Sequence, residues 1–216
     1  MITCEEIYDL HTTGALESAL CEAYREIPLD SRNSMRKNDT PLHMACAFVD
    51  ENAVRILLER GADVNVRNDD GDTPLCVLAK RKCCGKETTI AGIAGLLVSK
   101  EARVPRSGKN TTALIEAVGN RHFLMADILL MSGCRIDSTN SNGNNVLHVI
   151  CQSAGDIAYD IKRTKERIAD FSERWYSEKD KREAYENMEY LEEADRQCFL
   201  TAKRILEKGQ IGRAHV

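Results

Sequence analysis

The chain of 216 residues lacks the sequence features of a membrane protein, a secreted protein or a nucleic-acid-binding protein. No apolar run approaches the ~20 residues that a membrane span needs. Residues 1–6 carry neither the basic nor the apolar part of a signal peptide. With 30 basic and 34 acidic residues, the net charge of −4 gives no electrostatic footprint for nucleic acid. We therefore expect no membrane and no nucleic-acid partner, and a cytoplasmic location.

The sequence also lacks the common catalytic and metal-binding motifs. It contains no glycine-rich phosphate loop, no nucleophile elbow, no His-Glu-x-x-His helix and no metal-spaced ligand set. The nine cysteines include no Cys-x-x-Cys pair, and they indicate a reducing compartment. The adjacent Cys83 and Cys84 have no histidine nearby at ligand spacing. These absences predict a protein with no cofactor and no metal, and one that is not an enzyme.

What the sequence does contain is a segment that recurs at a fixed step. Residues 40–45 (Thr-Pro-Leu-His-Met-Ala) return 33 positions later as residues 73–78 (Thr-Pro-Leu-Cys-Val-Leu). Residues 112–117 (Thr-Ala-Leu-Ile-Glu-Ala) follow after a step of 39, and residues 145–150 (Asn-Val-Leu-His-Val-Ile) after another 33. A repeat of this period predicts stacked supersecondary units, each burying its apolar face against its neighbours.

The unit at residues 38–69 carries the local signals of two antiparallel helices. Thr40 can cap a helix whose first residue is Pro41, where the missing N–H costs nothing. Gly61 can adopt the left-handed conformation that ends the second helix, and residues 68–71 (Asn-Asp-Asp-Gly) predict a turn. Two stripes at helical spacing are expected to be buried, namely Leu42, Ala45 and Cys46 on the first helix and Ala53, Ile56 and Leu57 on the second.

Residues 40–43, 57–65 and 70–75 resemble ankyrin repeats, because cap, helix pair, terminator and turn follow in the order of that family. The resemblance weakens along the chain. Glu101 stands where a terminating glycine is expected, and Asn145 replaces the capping threonine. The resemblance implies an all-α ankyrin-repeat solenoid of about five helix-turn-helix units, stacked into an L shape with hairpin tips on one side.

The repeat divides residues 1–210 into five units, with predicted bounds of 3–37, 38–70, 71–109, 110–142 and 143–210. The first unit lacks the Thr-Pro cap, which is typical of the atypical end repeat that a solenoid needs. The residues predicted to form its two helices are Ile7, Leu10 and His11 for the first and Leu16, Ala19 and Leu20 for the second.

Two pairs of residues share a repeat position and are predicted to be structural. Cys46 and Cys151 fall just after the apolar residues of a first helix, where a small buried side chain is expected. His43 and His148 occupy the histidine position of the Thr-Pro-Leu-His segment. The resemblance implies that these imidazoles bond neighbouring backbone within the stack rather than act in catalysis.

Two stretches lengthen the repeat, and the longer one predicts an inserted helical hairpin. Residues 82–88 add length between the helices of the third unit, and residues 156–196 do so in the fifth. The longer stretch has 22 charged residues in 41 and no proline or glycine. Apolar residues recur there at steps of four and three, on both sides of an interruption at residues 177–182, which predicts coiled-coil-like packing. The two seams are Ile157, Ile161, Thr164, Ile168, Phe171 and Trp175, then Ala184, Met188, Leu191, Cys198, Ala202 and Ile205.

The last residues do not fit the repeat unit. Gly209 stands at the position of Gly61, but no Ala-Asp-type return follows it. Residues 211–216 (Ile-Gly-Arg-Ala-His-Val) back-translate to a codon series that matches a common sequencing adapter. We therefore interpret residues 211–216 as a non-native tail and expect the natural chain to continue.

The resemblance implies a non-catalytic module that binds another protein through its hairpin tips and the inner face of its first helices. Two other hypotheses stand beside it. The chain could be a structural subunit that forms homo-oligomers through residues 156–196, or the binding part of a longer enzyme. The residues predicted to bind the partner are Arg67, Asn68, Asp70, Asp72, Arg106, Lys109, Asn140, Asn142 and Asn144 at the tips, with Trp175 and Tyr176 near the end of the hairpin.

Overall fold

A computed structural model describes residues 2–82, 85–102, 112–169 and 177–214, and this part of the chain is all-α. The helices of the first three units are α1 (Cys4–Thr13), α2 (Glu17–Glu26), α3 (Pro41–Phe48), α4 (Glu51–Glu59), α5 (Pro74–Ala79) and α6 (Glu87–Ser99). Those of the last two units are α7 (Ala113–Gly119), α8 (Phe123–Met131), α9 (Val146–Ala169) and α10 (Glu178–Ala214). None of the helices described is both long and apolar enough to span a membrane.

The ten described helices form five pairs that stack in two layers. The first helices, α1, α3, α5, α7 and α9, pack on one another in chain order. The second helices, α2, α4, α6, α8 and α10, do the same beside them. One continuous apolar core, from Cys4 to Ile205, lies between the layers. This arrangement confirms the predicted all-α repeat solenoid.

The start of a first helix is fixed by a capping side chain at one repeat position. Thr73 Oγ1 accepts a hydrogen bond from the N–H three residues later at 3.4 Å, and Thr112 does the same at 3.4 Å. In the fifth unit Asn145 Oδ1 accepts from His148 N–H at 3.0 Å. Asparagine is as good an N-cap as threonine, so the departure from Thr-Pro leaves this helix start intact.

Three second helices end at a residue in the left-handed region. Gly61 has φ 88° and Gly133 has φ 87°, and Glu101 at the equivalent position has φ 61°. Glycine adopts this conformation freely, whereas a residue with a side chain pays roughly 1–2 kcal/mol. The closing bond is nevertheless kept, since the next N–H donates to the carbonyl five residues back at 2.9 Å for Ala62 and 3.0 Å for Ala102.

The second helix of the first unit contains Ala19 and Leu20, as the sequence predicts, but it begins one residue after Leu16. Leu16 is the N-cap of α2 and is 78% exposed, and Ala19 is also exposed. Leu20, Ala23 and Tyr24 form the buried face. The helical series that faces the core therefore starts at Leu20.

Helices α9 and α10 run antiparallel. Cys198 Sγ lies 3.9 Å from the Ile150 carbonyl oxygen, and Asn187 Nδ2 donates to Thr164 Oγ1 at 3.3 Å, so the two chain directions oppose each other. Phe171 of the predicted seams lies outside the described residues, as does Trp175. The other seam positions are buried or half-buried, namely Ile157, Ile161, Thr164, Ile168, Ala184, Met188, Leu191, Cys198, Ala202 and Ile205.

Helix α10 differs from the prediction at both ends. The sequence predicts an interruption at residues 177–182, but α10 begins one residue after Ser177. Ser177 and Asp180 form a reciprocal cap, in which Asp180 N–H donates to Ser177 Oγ at 3.2 Å and Ser177 N–H donates to Asp180 Oδ2 at 3.0 Å. At its other end α10 continues through Gly209 to Ala214. A glycine inside a helix costs only about 1 kcal/mol, and no return segment bends the chain away here.

The C-terminal part of α10 docks on α8 and serves as the second helix of the fifth unit. Asp127, a buried residue of α8, accepts a hydrogen bond from Thr201 Oγ1 at 3.2 Å and forms an ion pair with Arg204. Lys208 Nζ donates to the Leu130 carbonyl oxygen at 2.8 Å. These contacts link residues more than 70 positions apart in the chain.

One side of α9 is left open by the described chain. α9 packs on α7 and on α10, and no further described helix lies on its remaining side. Cys151 is therefore exposed, although the sequence predicts that it is buried like Cys46. His148 is exposed for the same reason, whereas His43 is fully buried. The prediction for Cys151 was wrong because burial at this position requires a neighbouring unit.

Candidate partner-binding surface

The hairpin tips are tight turns whose shape depends on an asparagine side chain. In the turn at residues 68–72, Asn68 Oδ1 accepts from Asp72 N–H at 3.0 Å, and Gly71 has φ 75°. In the turn at residues 140–144, Asn140 Oδ1 accepts from Asn144 N–H at 2.9 Å, and the glycine before Asn144 has φ 78°. The two tips therefore have the same construction, and their first asparagine shapes the turn.

The side chains of Asn68 and Asp72 are buried and bonded within the array rather than exposed to a partner. Asn68 is 9% exposed, and its Nδ2 donates to Asp39 Oδ1 at 2.7 Å. Asp72 is 3% exposed, and its carboxylate accepts from Lys80 Nζ at 2.6 Å. Both side chains are already bonded to other side chains of the array, so the surface proposed below does not include them.

His43 binds the same turn from the preceding unit. Its Nε2 lies 2.9 Å from the Asp72 carbonyl oxygen, which can only accept, so Nε2 carries a proton. Its Nδ1 then accepts from Thr40 N–H at 3.2 Å. Burial lowers the pKa of His43, which keeps the imidazole neutral in this arrangement. This geometry agrees with the structural role predicted for His43.

The other predicted site residues differ in exposure. Arg67, Asp70 and Asn142 are exposed at the tips, and Asp70 forms an ion pair with Lys37 of the preceding tip. Asn140 and Asn144 are half-buried because they form the turn. The predicted site residues that lie outside the described part of the chain are Arg106, Lys109, Trp175 and Tyr176.

A groove of about 480 Å³ lies between the tip at residues 33–39, the tip at residues 68–72 and the first helices. Met35 lies at its edge and is 85% exposed. Asp70 is the one predicted site residue with an exposed side chain in this wall. The side chains that line the groove and that the sequence analysis did not single out are Tyr8, Met35, Arg36, Lys37, Lys80 and Arg81.

Aromatic contacts hold one wall of the groove. The guanidinium carbon of Arg36 lies 4.9 Å from the centre of the Tyr8 ring, in a cation–π contact. The Tyr8 ring packs on Phe48 with 5.7 Å between centres, and the His11 ring stacks on Phe48 with 4.0 Å between centres. Sequence reasoning missed Tyr8 and Phe48 because most aromatic residues cluster between positions 159 and 199. Their position on the first helices of their units could have identified them, because side chains there reach the inner face of the array.

The groove carries more exposed positive than negative charge. Burial acts to lower the pKa of Lys80, but its hydrogen bond to Asp72 and the charge of that residue outweigh burial and raise the pKa. The Nε atom of Arg81 is enclosed and finds no acceptor among the described residues.

The described residues do not form a metal site. In the part of the chain that the structure covers, no group of three or more His, Cys, Asp or Glu side chains could hold a metal ion. Cys83 and Cys84 lie outside that part. The surface just described can offer hydrogen bonds, ion pairs and apolar contacts to a ligand.

A family model for ankyrin repeats in many copies matches residues 26–76, from the end of the first unit to the start of the third. This part of the chain contains ankyrin repeats. The chain is also 34% identical over 68 residues to a curated ankyrin repeat-containing protein of Schizosaccharomyces pombe, in a match that covers 28% of this chain and 33% of the relative. It therefore spans about a third of the length of that relative. Ankyrin repeats are in general protein–protein interaction modules, and the family is in general not enzymatic.

Proposed function

We propose that this chain is a non-catalytic protein-binding module, and that the groove between the tips at residues 33–39 and 68–72 holds a segment of the partner. The general role of ankyrin repeats supports the first part of the proposal. The observation that carries the second part is the groove of about 480 Å³, where the exposed Met35 lies beside several cationic side chains. An apolar contact flanked by charges is the usual composition of a specific interface.

The charges favour a partner segment that is acidic. Arg36, Lys37, Lys80 and Arg81 line the groove, and Asp70 is the exposed carboxylate among its lining residues. Two further carboxylates, of Asp39 and Asp72, are buried and already bonded within the stack. We expect carboxylates of the partner to pair with Arg36 and Arg81 and an apolar side chain to pack on Met35.

The tips extend the proposed surface beyond the groove. Arg67, Asp70 and Asn142 are exposed, and we propose that they contact the same partner from the rim. Asn140 and Asn144 contribute mainly by holding the turn that presents Asn142. A rim contact affects association rate and specificity more than affinity. Roles for Arg106, Lys109, Trp175 and Tyr176, and the cytoplasmic location, stay predictions.

A peptide library displayed on phage tests the groove and does not require the partner to be identified first. Peptides selected on the full chain would be synthesised, and their dissociation constants measured by fluorescence polarisation against the wild type and variants. We expect the selected peptides to be rich in Asp or Glu next to an apolar residue. Arg36→Glu and Met35→Glu are each expected to weaken binding at least about tenfold, or ~1.4 kcal/mol.

The control is Arg25→Glu, which reverses the charge of an exposed arginine on α2, outside the residues that line the groove. It changes net charge by the same amount as Arg36→Glu, so it separates a local contact from a general electrostatic effect. Circular dichroism checks that each variant is folded. If the selected peptides bind all variants equally, or if none is selected, the groove is not the binding site.

A further inference from the structure

We propose that Ser34 is a phosphorylation site, and that a phosphate on this side chain prevents acidic segments from binding in the groove between the tips at residues 33–39 and 68–72. The second part rests on the proposed function, whereas the site itself does not. Ser34 is exposed in the tip at residues 33–39. The three residues that follow it, Met35, Arg36 and Lys37, all line the groove.

The residues around Ser34 are basic on both sides. Arg32 lies two positions before the serine, and Arg36 and Lys37 lie two and three positions after it. Residues 31–37 include no acidic side chain. Serine kinases with an acidic substrate cleft select basic residues at such positions, because complementary charge provides specificity. The sequence at this tip therefore suits a kinase of that class.

The tip contacts α1 at two neighbouring points. Ser34 N–H donates to Glu5 Oε1 at 3.2 Å, and Ser34 Oγ donates to the same oxygen at 3.3 Å. The guanidinium carbon of Arg36 lies 4.9 Å from the centre of the Tyr8 ring. Glu5 and Tyr8 are three residues apart, which places them on one face of α1 and about 4.5 Å apart along its axis. Ser34 and Arg36 therefore lie beside each other on that face.

Phosphorylation changes the contact between Ser34 and α1. In the transfer, Ser34 Oγ forms a bond to the γ-phosphorus of ATP, the bond from that phosphorus to the bridging oxygen breaks, and ADP leaves. The hydroxyl proton passes to the catalytic base of the kinase. The product carries about −1.5 to −2 charges and no longer has the hydroxyl donor that bonded Glu5. The Glu5 carboxylate then repels the phosphate.

Arg36 is the cation that is best placed to pair with the phosphate. Arg32 Nη1 already donates to two backbone carbonyl oxygens, at 3.0 Å and 2.9 Å, and Lys37 already pairs with Asp70. Among the described residues, the guanidinium of Arg36 is held by its cation–π contact with Tyr8. A charge-assisted pair with phosphate is stronger than such a contact at a surface. The groove then loses the arginine that we expect to pair with a carboxylate of the partner.

Phosphorylation of the full chain in vitro tests the site. The kinase is the catalytic domain of protein kinase C, supplied with Mg²⁺ and ATP, because it selects basic residues on both sides of a serine. We expect a mass increase of about 80 Da for one phosphate, mapped to residue 34 by tandem mass spectrometry and absent from Ser34→Ala.

A synthetic peptide of residues 28–40 is the control for accessibility, because it lacks the contacts with α1. Phosphorylation of the peptide but not of the full chain would show that the folded tip hides the serine. Phosphorylation of neither would show that the basic residues are not recognised. Either result overturns the proposal, and so does phosphate that is found elsewhere in the full chain but not on Ser34.

Peptide affinity tests the effect on the groove. The full chain with phosphate on Ser34 should bind the selected acidic peptides at least about tenfold more weakly than the unmodified chain. Ser34→Asp should weaken binding by a smaller factor, because it adds one charge. Ser34→Asn has a similar size without the charge and should bind like the wild type. Equal affinities for the phosphorylated and unmodified chains would overturn the regulatory part.

The failure of this inference differs from the failure of the proposed function. If the unmodified chain binds no acidic peptide, the proposed function fails and the regulatory part fails with it, but the mass measurement still decides whether Ser34 is a phosphorylation site. If the unmodified chain binds peptides and phosphorylation does not weaken binding, the proposed function stands and the regulation is wrong.

Discussion

The second and fifth units place the same residue types at the same repeat positions, but in different surroundings. His43 is fully buried between two units, and His148 is exposed. Cys46 is also fully buried, whereas Cys151 on α9 is exposed. Each unit forms its helix pair and its cap. Burial at these positions depends on the neighbouring unit, and this separates local structure from packing in a solenoid.

The two units are also held in different ways. The second unit has a neighbour on each side, and Arg60 donates to the carbonyl oxygens of Tyr24 and Ile27 at 2.7 Å each. The fifth unit is held from one side, through Asp127 on α8 and through Ser153 Oγ, which donates to the α7 carbonyl of Val118 at 3.1 Å. We therefore expect the fifth unit to open before the second.

A matched pair of core truncations should show the largest difference. Leu57 on α4 and Ile205 on α10 are both fully buried. Leu57→Ala is expected to lower the free energy of unfolding of the array by about 2–5 kcal/mol. Ile205→Ala removes similar contacts, but its effect should be confined to α10, because the described contacts of α10 lie mainly on α9 and α8 and such a region can open locally.

Urea denaturation and hydrogen–deuterium exchange separate these two outcomes. Leu57→Ala should shift the urea midpoint of the main transition. Ile205→Ala should instead accelerate exchange in α10 and leave the midpoint nearly unchanged. Equal midpoint shifts for the two variants would mean that the five units unfold as one cooperative body and that the fifth unit does not open before the second.

Removing the charge of the buried Asp127 carboxylate should have the next largest effect on stability. Asp127→Asn keeps the shape of the side chain but removes the charge that pairs with Arg204. Arg204 is half-exposed, so water can replace part of the lost interaction, and we expect a loss of about 1–2 kcal/mol in the docking of α10. Faster exchange in residues 198–208 is the measurement.

Glu193→Gln is the control for Asp127→Asn, because it removes a carboxylate from an exposed ion pair within α10. It should change exchange rates by an amount within error, since such exposed pairs contribute little to stability. If both variants behave alike, α10 is held by its apolar contacts and not by Asp127.

The histidines should make stability fall at mildly acidic pH. Burial lowers the pKa of His43 below its ordinary value of 6.5, so the folded chain resists a proton that the unfolded chain accepts. Above about pH 6.5 the imidazole is neutral in both the folded and the unfolded chain, so it adds no pH dependence. Below that pH the unfolded chain takes up the proton first, and the free energy of unfolding falls by at most about 1.4 kcal/mol per pH unit. Thermal unfolding at several pH values between about 7.5 and 5.5 measures this slope.

His43→Asn should reduce that slope without removing it, because burial also lowers the pKa of His11 and His122. A slope that is the same in wild type and His43→Asn would show that the buried imidazole does not control the pH dependence.

Exchanging the helix terminators should have the smallest effect. Glu101→Gly relieves a left-handed residue that carries a side chain, and we expect a gain of about 0.5 kcal/mol, because the unfolded chain also becomes more flexible. Gly61→Ala should lose about 1 kcal/mol at the equivalent position. A β-carbon on Gly61 would have no atom within 4 Å, so this loss reports backbone strain alone. Urea midpoints measure both, and a gain for Gly61→Ala would contradict the argument.

Much of the fold could be predicted from the sequence because its signals are local. Caps such as Thr73, Thr112 and Asn145, and a terminator such as Gly61, act within one turn of a helix and do not depend on distant residues. The start of α10 carried an equally local signal, the Ser177 and Asp180 cap, which was interpreted as an interruption. Residues 178–182 are all charged, so they resemble a loop in the sequence although they form the first turns of a helix.

The candidate site was harder to predict, because exposure is decided by contacts between units. Asn68 and Asp72 lie in a polar turn, and their side chains are buried by bonds to Asp39 and Lys80, which are 29 and 8 positions away in sequence. The groove takes Tyr8 and Met35 from the first unit and Lys80 from the third, so it forms only when the units stack. Neither fact follows from the residues of one turn.

The sequence by itself determined the helix pairs, their caps and their repeat order, because these depend on hydrogen bonds and apolar spacing within about 33 residues. Only the tertiary structure decided which side of each pair is covered. The positions of His148 and Cys151 are the same in the repeat as those of His43 and Cys46, yet water reaches them. Burial is a property of two surfaces in contact, and a repeat unit specifies one of them.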